Sequence, residues 1–436
     1  MQQIELWMLI PFGIMLLSIA VIPLIAPRWW GKNHNKLIYT LLIAVPTAIM
    51  LVRHGLEQPL LEQILDDYVP FIVLLATLFV VTGGIKVHYT TTPTPLANSI
   101  MLIIGYCIAS LVGTTGAAML LIRPLLEINR QRTHKAHTVM FFIAMVANCG
   151  GVLSPLGDPP LFLLYLRGAS FGWFQSMYEQ WAFVGCSLLA IYFLLDTYIY
   201  KTKELIGIRP YAEDEEDEPI TFSISGGINA LFLVATIAAV ALLNGSTIPA
   251  MDAKGAPILL HHLREVVLCG IMVLSLIFTG KNVRRENHFS WEPITEVAII
   301  FIGIFVTMTP AMIYLNANAA ALNIDTPAQF YYAAGALSSF LDNAPTAVAF
   351  HTVASGLPTI DGVPIVAGIA EPLLTAISLG AVLFGAMTYI GNGPNFMVKA
   401  IAENDGVRMP SFFGYIVKFS LPVLLPIYVI LQLIFF

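Results

Sequence analysis

The sequence predicts an all-α polytopic membrane protein of about ten transmembrane helices plus two re-entrant hairpins, arranged as two inverted-topology repeats with discontinuous helices. Three observations carry that expectation. Apolar residues make up 57% of the 436 positions and charged residues 11%, against roughly 45–50% and about 25% in a soluble domain. The apolar residues gather in runs of about 20, the length that crosses roughly 30 Å of hydrocarbon. Interruptions of those runs fall at matching places in the two halves. The net charge of −6 offers no basic surface for nucleic acid. Cys107, Cys149, Cys186 and Cys269 each sit alone in an apolar run, which excludes a disulfide framework or a structural zinc pattern, and they read as small buried residues.

In chain order the spans are expected at residues 5–26, 37–53, 68–85, 138–167, 173–200, 227–245, 263–280, 292–315, 366–398 and 411–436. The opening Met1-Gln2-Gln3-Ile4-Glu5 lacks a basic leader, so the first run is expected to stay as a span. Two further stretches, 98–126 and 326–353, are broken at Gly113-Thr114-Thr115-Gly116 and at Asp342-Asn343-Ala344-Pro345-Thr346. Lys and Arg near span ends favour the cytoplasmic side, and this chooses between kinked spans and hairpins. Same-side hairpins place Arg28, Lys32, Lys36, Lys86, Arg130, Arg132, Lys135, Lys201, Lys203, Arg209, Lys281, Arg284, Arg285, Lys399 and Arg408 inside, leaving Arg53, Arg167 and Lys254 outside. The first hairpin then opens to the cytoplasm and the second to the exterior, with both chain ends outside. The acidic run Glu213 to Glu218 reads as a solvated cytoplasmic linker. The chain divides into an extra span (1–36), a first repeat (37–200), the linker (201–226) and a second repeat (227–436).

Self-comparison across the linker supports that division. Gly157-Asp158-Pro159-Pro160-Leu161-Phe162 recurs as Gly391-Asn392-Gly393-Pro394-Asn395-Phe396, 234 residues on. Ser170-Phe171-Gly172 matches the region of Ser411 to Gly414, and Phe71–Thr82 resembles Ile299–Thr309. In the charge-based topology the two copies run in opposite directions, the hallmark of secondary transporters whose sites lie near the midplane.

Helix breaks inside hydrocarbon are tolerated only where the backbone is buried in protein or lines a wet cavity. The segment Asn148 to Asp158 therefore marks a site. Its free carbonyls, with Asn148, Ser154, Gly157 and Asp158, offer hard oxygen ligands for a small cation such as sodium. Thr388, Asn392 and Asn395 are the matching set. The hairpin tips add Thr114, Thr115, Asp342, Asn343 and Thr346. Half-helix N-termini there can hold an anion, whereas carboxylates and carbonyls can hold a cation. Asp158 and Asp342 are the carboxylates in the breaks, and with Asn343 they are the expected ion-coupling groups, against the simpler reading in which each Asp caps a helix. Arg123 is expected to snorkel to the interface and His351 to be a packed, satisfied histidine. Glu371, Lys418, Glu179, Asp196 and Glu296 are expected at the interface. His261-His262 falls in an outside loop. No GxSxG, HExxH or P-loop pattern supports an enzyme or an ATP-driven pump.

The segments Asn148-Cys149-Gly150-Gly151 through Ser154-Pro155-Leu156-Gly157-Asp158, and Leu341-Asp342-Asn343-Ala344-Pro345, resemble the NhaD-type sodium/proton antiporters. Those belong to an ion-transporter superfamily that includes arsenite efflux carriers, citrate and dicarboxylate carriers and the melanosomal P protein. The resemblance covers about residues 60–430. It implies a scaffold part, a transport part enclosing the site between tips and breaks, elevator-like movement and a homodimer. Two departures set this chain apart. Val112-Gly113 precedes the threonines where the family often has an Asn-Asp pair, and Pro159-Pro160-Leu161 replaces a threonine-rich continuation. The Gly-Asp-Pro-Pro form is closer to the arsenite and P-protein branch.

The expected function is sodium/proton antiport across a bacterial inner membrane by alternating access. The alternative is cation-coupled transport of a small carboxylate, citrate or dicarboxylate, or of an oxyanion. Besides sodium ions or protons, no cofactor is expected.

Overall fold

The computed structural model describes residues 4–89, 91–204, 222–245, 247–251, 253, 257–287, 289–358 and 362–436. The acidic run at 213–218, Arg209 and Lys254 lie outside the described residues. Among those described, eight helices are long and apolar enough to cross a membrane, and the chain is an all-α polytopic membrane protein. The elements used below are α1 (Ile10–Ile25), α2 (Asn33–Arg53), α3 (Glu57–Thr82), α4 (Pro95–Val112), α5 (Thr114–Ile128), α6 (Ala136–Met145), α7 (Pro159–Leu166), α8 (Tyr178–Ile199), α9 (Ile228–Leu242), α10 (Leu263–Phe278), α11 (Glu292–Ala317), α12 (Pro327–Ser338), α13 (Asn343–Ser355), α14 (Glu371–Phe384), α15 (Gly393–Asn404) and α16 (Phe412–Phe435). One short antiparallel pair, Lys86–Tyr89 with Phe222–Ser225, ties the end of α3 to the start of the second half.

Helix α2 shows how the outer shell is built. Ile38, Leu41, Leu42, Val45, Ile49 and Val52 are exposed, whereas Thr40, Ala44, Thr47 and Leu51 are buried against α11. The buried set recurs at helical spacing, and the apolar exposed set is what lipid requires. The same logic corrects the cysteine expectation: Cys149 is buried, but Cys107 and Cys186 are exposed and Cys269 is intermediate. A thiol is apolar enough to face hydrocarbon, so apolar surroundings in the sequence do not imply burial in the protein. Helix α3 begins at Glu57, well before the expected 68, because Glu62, Asp66 and Asp67 hide its first turns from a hydropathy reading. Asp67 is held by Arg167 at 2.9 Å and Gln63 at 2.6 Å.

Both interrupted stretches fold back on themselves. Each opens with Thr-Pro: Thr94 caps α4 by accepting the Ala97 N–H, and Thr326 forms a full capping box with Gln329 at the start of α12. Asn98 and Asn129 exchange side-chain amide hydrogen bonds of 2.9 and 2.7 Å, closing the base of the α4–α5 hairpin. In the α12–α13 hairpin the rings of Phe330 and Phe350 meet edge to face at 6.2 Å. The returning helices then cross over: α5 packs on α15 and α13 packs on α7. Each half's hairpin thus supports the other half's broken helix.

Asp196 departs from its interfacial expectation. It lies fully buried near the end of α8, where Arg132 grips it with two hydrogen bonds of 2.9 and 2.5 Å and reaches Glu204 at 2.7 Å. His137 adds a contact of 2.7 Å to the same carboxylate. One bidentate guanidinium therefore joins the α5–α6 connection to the far end of α8. Removing one partner of a buried ion pair typically costs about 3–5 kcal/mol, since the others stay buried and uncompensated. Arg132→Gln is expected to lower the apparent melting temperature in detergent markedly, while Lys399→Gln, at an exposed Lys399–Glu403 pair of 2.9 Å, leaves it nearly unchanged.

Candidate functional site

Two helices break at matching points. After α6 the chain passes Asn148 into a short 3₁₀ turn, Cys149–Leu153, and re-enters helix at α7. After α14 it makes a 3₁₀ turn at Gly385–Met387 and re-enters at α15. Asp158 (φ −147°, ψ 144°) and Asn392 (φ −150°, ψ 142°) occupy the same extended conformation before their helices. Close approach explains the glycine that precedes each: a Cβ at Gly157 would land on the Gly151 carbonyl oxygen, and one at Gly391 would lie 2.6 Å from that of Gly385.

The hydroxyls at the breaks serve the backbone. Ser154 donates to the Ser110 carbonyl and accepts the Leu156 N–H. Thr388 donates to the Ser339 carbonyl at 2.5 Å and accepts the N–H groups of Ile390 and Gly391. In return Ser110 donates to the Gly150 carbonyl at 2.6 Å and Ser339 to that of Phe384 at 3.3 Å. Orphaned backbone groups deep in the bundle are thereby satisfied without water. Ser110 and Ser339 were missed from the sequence. Each stands four residues before its hairpin's Thr114 or Asn343, a shared offset that alignment on the tips would have revealed.

Asp158 is the centre. Its Oδ1 accepts from the Thr114 hydroxyl at 2.5 Å and the Asn392 amide at 3.0 Å, and its Oδ2 accepts from the Asn343 amide at 2.5 Å. Thr114 also donates its backbone N–H to the Gly157 carbonyl at 2.7 Å. Asn392 extends to the Ala147 carbonyl and Asn148 Oδ1, each at 3.2 Å. Asn148 donates to Asn395 Oδ1 at 2.7 Å, and Asn395 donates to the carbonyls of Gly385 and Thr388. All six side chains are buried. They come from both hairpins and both breaks.

The other expected site residues lie around this cluster. Asp342 is half-buried and caps α13, accepting the Ala344 N–H at 3.1 Å, while its carbonyl accepts the Thr346 hydroxyl. Its neighbour Asn343 is the residue that reaches Asp158. Thr115 is half-buried one step along α5. Arg123 is half-buried, with Nη1 3.4 Å from the Asn287 carbonyl. It lines a cavity of about 500 Å³ with Glu127, Arg130, Ile401 and Asp405, where α5 and α15 end. His351 is buried, with Nε2 2.9 Å from the Ala367 carbonyl, but its Nδ1 has no partner among the described residues, so it is not fully satisfied as expected. Glu371 accepts the Trp173 indole N–H, Glu296 pairs with Lys36 at 2.6 Å, and Glu179 and Lys418 are exposed.

Four helices, α5, α7, α13 and α15, begin at this cluster. Their N-termini contribute partial positive charge, and no Lys or Arg among the described residues bonds Asp158. The carboxylate is held by helix ends and neutral donors alone. Asn343 Oδ1 is buried with no partner among the described residues, an acceptor beside a carboxylate. The arrangement suits an anion at the donors and a small cation at the oxygens.

Broken helices and hairpin tips meeting on a buried carboxylate within a polytopic bundle define a membrane transporter. Over residues 1–436 the chain matches the family described as "Putative citrate transport", and it belongs to that family. The match falls on the citrate-carrier branch of the superfamily it resembles, not on the NhaD-type antiporters. No curated protein matches the chain significantly.

A hydrogen bond to a charged group contributes about 1.5–3 kcal/mol. Thr114→Val is therefore expected to lower the apparent melting temperature, whereas Thr115→Val, whose side chain is not on Asp158, is expected to leave it close to the wild-type value in the same assay.

Proposed function

We propose that this protein is a secondary transporter of the cell membrane that carries a small polycarboxylate, citrate first, by alternating access, with sodium ions or protons as the coupling ions. The observation that supports it most is the convergence of three neutral donors and four helix N-termini on one buried carboxylate, in a chain of the citrate family. A substrate carboxylate at those donors meets Asp158 of the same sign. It binds when that charge is offset, by a proton on Asp158 or by a cation at Asp158, Asn343 Oδ1 and the carbonyls of the breaks. Coupling follows from that requirement.

In this reading Asp158, Asn343 and Asn392 touch the transported species or its cation, with Thr114 beside them. Asn148 and Asn395 brace the breaks, and Ser154, Thr346, Thr388, Gly157 and Asp342 set the backbone around them. Residues 37–200 and 227–436 are two inverted copies, following the extra span 1–36 and separated by the cytoplasmic linker 201–226. The functional unit is a homodimer in a bacterial inner membrane.

Sodium/proton antiport is the second reading, favoured by one specific observation: Asp158 lacks a cationic partner among the described residues, leaving it available to exchange a proton for sodium. Labelled citrate uptake into proteoliposomes under an imposed sodium or proton gradient separates the two. Gradient-driven citrate uptake is expected, reduced at least about tenfold in Asp158→Asn, the factor that loss of about 1.4 kcal/mol or more produces. Proton movement on a sodium jump without citrate, together with no citrate, succinate or arsenite uptake, would replace the carboxylate reading with antiport.

A further inference from the structure

Three potential metal ligands lie together far in sequence and away from the central cluster. Asp66, in the π-helical segment Gln63–Tyr68 of α3, and the pair His261-His262, just before α10, present ligand atoms all within 4.8 Å of one another. Asp66 and His261 are exposed and His262 is partly so, so an ion in solution can reach them. One ligand comes from the first half of the chain and two from the second.

His261 is oriented from behind. Nδ1 of His261 lies 3.0 Å from the Met251 carbonyl, a contact that requires the proton on Nδ1. Its Nε2 then faces Oδ1 of Asp66 at 3.3 Å. A cation placed between them takes the Nε2 lone pair and the carboxylate oxygen as two ligands. The distance fits as well: two ligand atoms on a tetrahedron with bonds of about 2.0–2.1 Å stand about 3.3 Å apart. Glu265, beside His262 at 4.0 Å, is itself paired with Arg264 at 2.7 Å. The backbone carbonyl behind His261 is an outer-shell contact of the kind that orients an imidazole ligand on a metal. Asp67, next to Asp66, is anchored by Arg167 at 2.9 Å, so the segment carrying Asp66 is itself held in place.

We propose that Asp66, His261 and His262 form a site for a borderline divalent transition-metal ion, zinc foremost, that staples α3 to the start of α10 on the face that loop charge assigns to the outside. Two imidazoles and one carboxylate favour zinc or its neighbours over magnesium or calcium, which take all-oxygen sets. With three protein ligands, water completes the shell.

The full-length protein in detergent, stripped with a chelator and kept in citrate-free buffer because citrate itself binds metals, is titrated with zinc chloride while its melting temperature is followed. A saturable rise is expected for the wild type and none with magnesium chloride. His261→Ala and Asp66→Ala are each expected to weaken the zinc response at least tenfold. Cobalt(II) provides a second readout, since visible d–d absorption of the bound ion should appear in the wild type and vanish in His261→Ala. No zinc-dependent shift in the wild type, or an undiminished shift in both variants, would overturn the proposal. Neither result depends on citrate transport, so the site stands or falls separately from the transport reading.

Discussion

Hydrocarbon contains no water to satisfy a free N–H or C=O, and this chain interrupts two helices and reverses two more in that medium. That constraint dictates most of what surrounds the centre. Each interruption ends in a 3₁₀ turn followed by an extended residue, and the polar groups released are taken up by hydroxyls placed one helix away. Ser110 and Ser154 form a reciprocal clasp, each donating to the other's segment, while in the second half Thr388 donates to the Ser339 carbonyl and the Ser339 hydroxyl turns back to Gly335 at 2.9 Å. The glycines at 151 and 157, and at 385 and 391, let each broken segment fold closely onto itself. Without those hydroxyls the breaks would carry unpaired backbone groups, each several kilocalories unfavourable.

Much of this was legible in the sequence, because a costly break needs conspicuous residues. Gly-Asp-Pro-Pro and Gly-Asn-Gly-Pro cannot continue a helix, and their equal spacing from the clasping hydroxyls Ser154 and Thr388 made the pairing visible before any coordinates. The donors on Asp158 were less legible. Thr114 and Asn343 fill the same position in their hairpins but share no side-chain chemistry, so residue identity could not align them; only the geometry shows both donating to one carboxylate. Asp342 drew attention as the acidic residue of its tip, yet the structure gives it a capping bond and gives the neighbouring amide the contact to Asp158.

The burial of polar groups outside the centre was illegible for a different reason. Hydropathy locates a residue along a helix, not around it, and cannot tell lipid from protein interior, because both are apolar. Hence Cys107 and Cys186 face outward although their surroundings in the sequence are apolar. Asp196 lies close to the end of a span and reads as interfacial, and Arg132 reads as a loop charge, but they are 64 residues apart and only folding makes them a pair. A charge near the end of a span in sequence can be fully buried when another segment folds over it.

The crossing of the halves gives the central carboxylate its mechanical meaning. Asp158 stands at the head of α7, a first-half helix that leans on α13 of the second half, while α15 of the second half leans on α5 of the first. The three donors on Asp158 arrive at the heads of α5, α13 and α15, one from each hairpin and one from the opposite break. Any change of charge at Asp158, whether a proton or a cation arriving, alters the attraction felt by four helix ends at once. The halves also pack along α2 on α11 and α3 on α10, and packed interfaces of that kind shift between discrete arrangements rather than smoothly. The same hydrogen bonds therefore tie the charge at Asp158 to elements of both halves, the kind of linkage that driving one solute with the gradient of another requires.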